Sequence, residues 1–216
     1  MHGMEGAPTQ MERLARHLRR EGYLTRSVHY ATRTTLDVMA REVVAQLRAF
    51  GELSGPVHVV GHSMGGILGR AVIGEVAEAK RGRLVQIGSP NRGASRIRWI
   101  PDLVAIRRRV ARGYFELHPE SERLAAWPVP ECEIGIIAGD RTFHPVVLGS
   151  WFVTAAQLVF DAPGEGPTDG CVAVDETKLE GARDHIVVPF AHDFMPRSPE
   201  VHRQVEHFLR HGAFAR

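Results

Sequence analysis

The chain has 216 residues, 44% of them hydrophobic and 24% charged, with a formal net charge of +2 at pH 7. That composition belongs to a globular chain with a filled core and excludes the apolar-poor, highly charged make-up of disordered segments. Near charge balance, nothing requires nucleic acid or an anionic membrane as partner. The two cysteines, Cys132 and Cys171, allow at most one disulfide and lie in no metal-ligand spacing. No apolar run reaches the roughly 18 residues of a membrane-spanning helix, and the opening MHGMEGAPTQ has no apolar signal core. The expectation is one domain, residues 1–216, in the cytoplasm.

The first element is a helix from Thr9 to Gly22, with Met11, Leu14, Ala15 and Leu18 on one face, Thr9 and Glu12 as a capping box, and Gly22 as the stop. A β-prone run, Leu24 to Tyr30, follows. Leu36, Ala40, Val43, Val44 and Leu47 trace a second helix, opened by Thr34 with Asp37 and closed by Gly51. Val57 to Val60 is a short apolar strand. Next comes a helix from Met64 to about Ala79, with Gly65, Gly66 and Gly69 permitting close approach to a sheet. Leu84 to Ile87 is a strand. Residues 92–128 are helical in patches with no strand pattern, as in an inserted cap. Strands recur at Glu133–Ala138 and His185–Val188, and a closing helix starts at Ser198–Pro199 with Val201, Val205, Phe208 and Leu209 inward. Apolar strands alternating with helices predict a mostly parallel α/β sheet covered on both faces.

Gly61-His62-Ser63-Met64-Gly65 is a G-x-S-x-G pentapeptide set between the strand at 57–60 and the glycine-rich helix. A turn from strand to helix this sharp strains the serine backbone and exposes the hydroxyl, while the glycines remove side chains that would collide. The helix start beside Ser63 favours developing negative charge. A serine hydroxyl needs a base to remove its proton and a carboxylate to orient that base. Among twelve histidines, His192 is placed best, after the last strand and before the closing helix; His185 falls at a strand start, and His202, His207 and His211 fall on the closing helix as solvated residues. For the acid two residues remain open, Asp169 and Asp140, with Asp169 favoured because Asp169-Gly170 leads through a β-like run toward His192. Arg107-Arg108-Arg109 is expected to be a solvated helix face, and Trp99, Ile100, Leu103, Val104 and Ile106 either line an acyl pocket or pack the cap.

These motifs together resemble the small bacterial lipases and their esterase relatives in the α/β-hydrolase superfamily. The likeness rests on HGM near residue 2, GHSMGG at 61–66, GSPNRG at 88–93, DGCVAV at 169–174 and the stretch ending at His192. It implies an α/β-hydrolase fold with a helical cap and a Ser63-Asp169-His192 triad. It also implies an oxyanion hole from the backbone N–H groups of Met64 and Met4. The implied activity is cleavage of small-molecule or lipid carboxylic esters through an acyl-enzyme, with no metal and no organic cofactor. Thioester or amide hydrolysis, acyl transfer on the same triad, or an inactive binding protein are the alternatives. In the family the HG motif ends a buried strand, whereas only Met1 precedes it here, so the expectation is a truncated first strand, from a misassigned start or a sheet lacking that strand.

Overall fold

The computed structural model describes residues 1–3, 8–51, 55–95, 112–142 and 166–216. Expectations for Met4, for Trp99 to Ile106 and for the arginines at 107–109 therefore lie outside the described residues. The helices are α1 (Glu12–Arg20), α2 (Leu36–Ala49), α3 (Met64–Gly74), α4 (Arg112–Phe115), α5 (Glu122–Ala125), α6 (Val174–Thr177) and α7 (Pro199–His211). The strands are β1 (Val57–His62), β2 (Arg81–Ile87), β3 (Ile134–Gly139) and β4 (Asp184–Val188), all parallel and in the spatial order β1-β2-β3-β4.

Alternation along the strands builds two cores. Leu84, Ile134 and Ile136 face one way and join Leu36, Met39 and Val43 of α2 with Ile67, Leu68 and Ile73 of α3. Val85, Ile87, Ile137 and Val188 face the other way and join Leu14 and Leu18 of α1 with Val201, Val205 and Phe208 of α7. A sheet so covered on both sides accounts for the unbroken apolar composition of β3, whose six residues are all buried. From the expected cap at 92–128, Leu117, Leu124 and Trp127 pack into the first of these cores.

Several local expectations are corrected. Thr9 does not cap α1. Pro8–Met11 forms a 3-10 turn that leads into the helix, so Thr9 lacks the extended backbone of a capping residue, and Met11 precedes α1 with no side-chain cap. Thr35, not Thr34, caps α2: it is extended and its side chain accepts from the Val38 N–H at 3.4 Å. The run from Leu24 to Tyr30 forms no strand, and an α2 side chain takes both backbone hydrogen bonds of His29. His29 N–H donates to Gln46 Oε1 at 3.1 Å and Gln46 Nε2 donates back to the His29 carbonyl at 2.6 Å. Helix α3 stops at Gly74, and Glu78–Lys80 is a separate 3-10 turn. His202 is buried rather than solvated, anchored by its Nε2–H to the Pro196 carbonyl at 2.8 Å. Cys132 and Cys171 are not joined in a disulfide. Among the described residues no helix is long and apolar enough to cross a membrane.

Met1 extends the hydrogen-bond ladder along the free edge of β1. Its amino group donates to the Val60 carbonyl at 2.7 Å and its own carbonyl accepts from the His62 N–H at 3.1 Å. Beside that edge runs a cavity of about 500 Å³ whose lining includes Leu14, Leu18, Val28, Val43, Leu47 and Val59.

Candidate active site

The carboxyl ends of the strands carry the chemistry. β1 ends at His62, Ser63 turns, and α3 begins at Met64. Ser63 has φ 53° and ψ −128°, the one positive φ of a non-glycine residue among those described. Strain of this kind costs of order 1–3 kcal/mol and persists only where surroundings impose it. Here the Ser63 N–H donates to the Ile87 carbonyl at 2.8 Å, and the two glycines of the pentapeptide allow the tight approach. A Cβ on Gly61 would lie 2.3 Å from the Gly65 carbonyl oxygen, and one on Gly65 would lie 2.4 Å from the His2 carbonyl oxygen. Met64, fully buried, opens α3, so its backbone N–H belongs to the helix's unpaired first turn.

Asp169 and His192 come together in the interior. His192 Nδ1–H donates to Asp169 Oδ2 at 2.7 Å, and the His192 backbone N–H donates to the Asp169 carbonyl at 2.9 Å. The other carboxylate oxygen accepts from the backbone N–H groups of Cys171 at 2.9 Å and Val172 at 2.8 Å. Burial disfavours the charged ring of His192, but the Asp169 charge and hydrogen bond outweigh it, and the His192 pKa is raised. With Nδ1 held, Nε2 is the nitrogen available to take a proton. Gly88 ties this pair to the serine turn: it follows Ile87, and a Cβ there would lie 3.1 Å from both Asp169 Oδ2 and His192 Nδ1.

The alternative acid is elsewhere. Asp140 follows β3, gives its N–H to the Val188 carbonyl at 3.1 Å, and sets its carboxylate 3.6 Å from Arg141. His185 lies at the start of β4, at the opposite end of the strand from the loop of His192, with its ring 2.9 Å from the Thr177 hydroxyl.

Two contributors have no signal in spacing or composition. His62, the variable residue before Ser63, donates from Nε2 to the His192 carbonyl at 3.1 Å, with ring centroids 4.6 Å apart. Burial, then the neighbouring His192, keeps His62 well below its ordinary pKa and therefore neutral. The second is the buried amide pair beneath GSPNRG. Asn91 Nδ2 donates to Gln86 Oε1 at 2.7 Å and to the Thr177 carbonyl at 2.8 Å, and Gln86 Nε2 donates to the Gly66 carbonyl at 2.9 Å. That network joins α3, β2 and α6 around the turn. On the amino-terminal side, the Tyr30 hydroxyl donates to the His2 carbonyl, and the Gly3 N–H donates to Gln10 Oε1 at 3.1 Å.

Solved structures share this architecture at low identity. The mature form of the Bacillus licheniformis lipase BlEst2 is 17% identical with a TM-score of 0.73, covering 97% of this chain and 89% of its own. The Staphylococcus hyicus lipase is 14% identical with a TM-score of 0.63, covering 90% and 87%. The metagenomic carboxyl esterase MGS0156 is 16% identical with a TM-score of 0.61, covering 82% and 57%. At these identities the likeness establishes fold. No curated protein matches the sequence significantly. The family model described as "Alpha/beta hydrolase family" matches residues 3–213. That match takes in the serine turn, the Asp-His pair and nearly all of the remaining chain, which therefore belongs to the alpha/beta hydrolase family.

Proposed function

We propose that the chain is a serine hydrolase that cleaves carboxylic esters through an acyl-enzyme, with Ser63 as nucleophile, His192 as base and Asp169 as the orienting acid. The observation that carries this reading is the buried Asp169–His192 pair at 2.7 Å, set by Gly88 against the strained turn of Ser63. The Ser63 hydroxyl attacks the ester carbonyl while His192 Nε2 takes its proton. The same nitrogen then returns the proton to the departing alcohol. A water, deprotonated in turn by His192, attacks the acyl-serine and releases the acid. Asp169 keeps the Nδ1 proton in place and stabilises the imidazolium without taking a proton itself. The Met64 N–H supports the carbonyl oxygen as it gains charge, with a second donor expected from Met4. Lipase and carboxyl esterase among the similar solved structures support ester substrates over amides or thioesters.

A fluorophosphonate probe tests the assignment, since it labels only an activated serine. The wild-type chain is expected to be labelled and to hydrolyse p-nitrophenyl esters, and Ser63→Ala to lose both with an unchanged melting curve. Absence of labelling in the folded wild-type chain would favour an inactive binding protein, and undiminished turnover by Ser63→Ala would remove Ser63 from the reaction.

A further inference from the structure

Away from the serine turn, a cleft of about 730 Å³ opens between α1 and the start of α7, and among the described residues no carboxylate lines it. Arg13, Arg16 and Arg20 recur at helical spacing along α1, with Arg19 beside them, and Arg197 faces them from the 3-10 turn before α7. Five guanidinium groups thus share one concavity in a chain whose whole formal charge is +2. Glu12 is the sole counter-charge in ion-pair range, shared by Arg16 at 3.8 Å and Arg19 at 2.5 Å among the described residues. Arg13, Arg20 and Arg197 have no ion-pair partner among the described residues.

A second observation comes from the floor of the cleft. His17 and His202 approach with ring centroids 5.7 Å apart, and His17 Nε2 is buried without a hydrogen-bond partner. A buried ring nitrogen left unpaired has a cost that a ligand or water would relieve. Burial, with the guanidinium groups of Arg13 and Arg20 nearby, holds His202 below its ordinary pKa.

We propose that this cleft is a binding site for a soluble anion carrying two or more phosphate groups. Guanidinium forks match phosphate oxygens in pairs, and a cluster of five calls for more negative charge than one carboxylate supplies. The volume lies within the range of about 300–1,000 Å³ of small-molecule pockets. The site is independent of the ester chemistry proposed for Ser63.

Inorganic pyrophosphate serves as the probe, titrated at constant ionic strength against sodium chloride and sodium sulfate while the thermal midpoint is followed. The expected result is a saturable rise with pyrophosphate, a smaller one with sulfate and none with chloride. In Arg13→Gln/Arg197→Gln the apparent affinity should fall about tenfold or more, consistent with loss of charge-assisted hydrogen bonds. These side chains are exposed, so circular dichroism and Ser63 labelling should be unchanged; His17→Gln provides a second variant at the cleft floor. No saturable rise, or a rise that both variants retain in full, would overturn the proposal. So would binding to phosphatidylcholine vesicles containing phosphatidylglycerol with no response to pyrophosphate, which would make the cleft a membrane-facing surface.

Discussion

Replacing Asp169 by Asn probes the Asp-His pair at a single atom. Asp169 is fully buried, and its Oδ1 accepts two backbone N–H groups, from Cys171 at 2.9 Å and Val172 at 2.8 Å. In Asp169→Asn those donors dictate the amide orientation, because only the oxygen can accept from them. The NH₂ group is then turned toward His192 Nδ1, which can no longer donate and becomes an acceptor. The ring proton moves to Nε2, the nitrogen that must take the proton from Ser63. The wrong tautomer costs about ten-thousandfold in kcat, or about 5 kcal/mol in the barrier. The fold should hold, since every backbone donor keeps its acceptor; Asp169→Ala, by contrast, orphans the Val172 N–H at about 1–3 kcal/mol. Losing the carboxylate charge also removes what raises the His192 pKa, so the acid limb of kcat/KM should move to lower pH in Asp169→Asn. The assay is p-nitrophenyl ester hydrolysis across pH, with thermal melts of both variants and Asp140→Asn as the control expected to stay near wild type. A kcat within about tenfold of wild type for Asp169→Asn, or an equal loss for Asp140→Asn, would refute the assignment.

Two predictions concern stability. Phe208 is fully buried, lies tilted against Phe214 at 4.8 Å between centroids, and would lie 2.7 Å from a Cβ on Gly135, so Phe208→Ala leaves a cavity under β3. Urea denaturation should show a loss of about 3–5 kcal/mol; a loss under about 1 kcal/mol would mean that this side of the sheet collapses to fill the space. Stability should also fall as pH drops from 8 to 5. Burial holds His2, His58, His62, His185 and His202 below 6.5, so the unfolded chain takes up these protons first. Stability from these groups is full above their unfolded pKa values and lost below them. His192, raised, acts in the opposite sense: its contribution is present below 6.5 and lost as pH rises through its folded value. Thermal melts that are flat, or that rise, between pH 8 and pH 5 would contradict the burial of these groups.

Periodicity and local chemistry determined much of this protein before any tertiary contact was known. Alternating apolar strands and amphipathic helices define the parallel sheet and its covered faces, because burial on both sides requires those patterns. The glycines around Ser63 announce the turn, since no other residue tolerates approaches of 2.3–2.4 Å to neighbouring backbone. Ser198 before Pro199 marks the start of α7, where the serine side chain accepts from the Val201 N–H at 3.5 Å. What sequence could not decide was any contact set by distance in space rather than along the chain. Chain order favours Asp169 over Asp140 but leaves both open as loop carboxylates. Only the folded chain brings one of them to 2.7 Å from His192 and leaves the other beside Arg141. The β-prone run at 24–30 forms no strand, and the backbone of His29 pairs instead with Gln46, a side chain 17 residues away. His202 looked solvated on an amphipathic helix until Pro196 and His17 closed over it. Spacing reports which face a residue occupies, whereas partner, burial and pKa depend on what the fold places opposite that face.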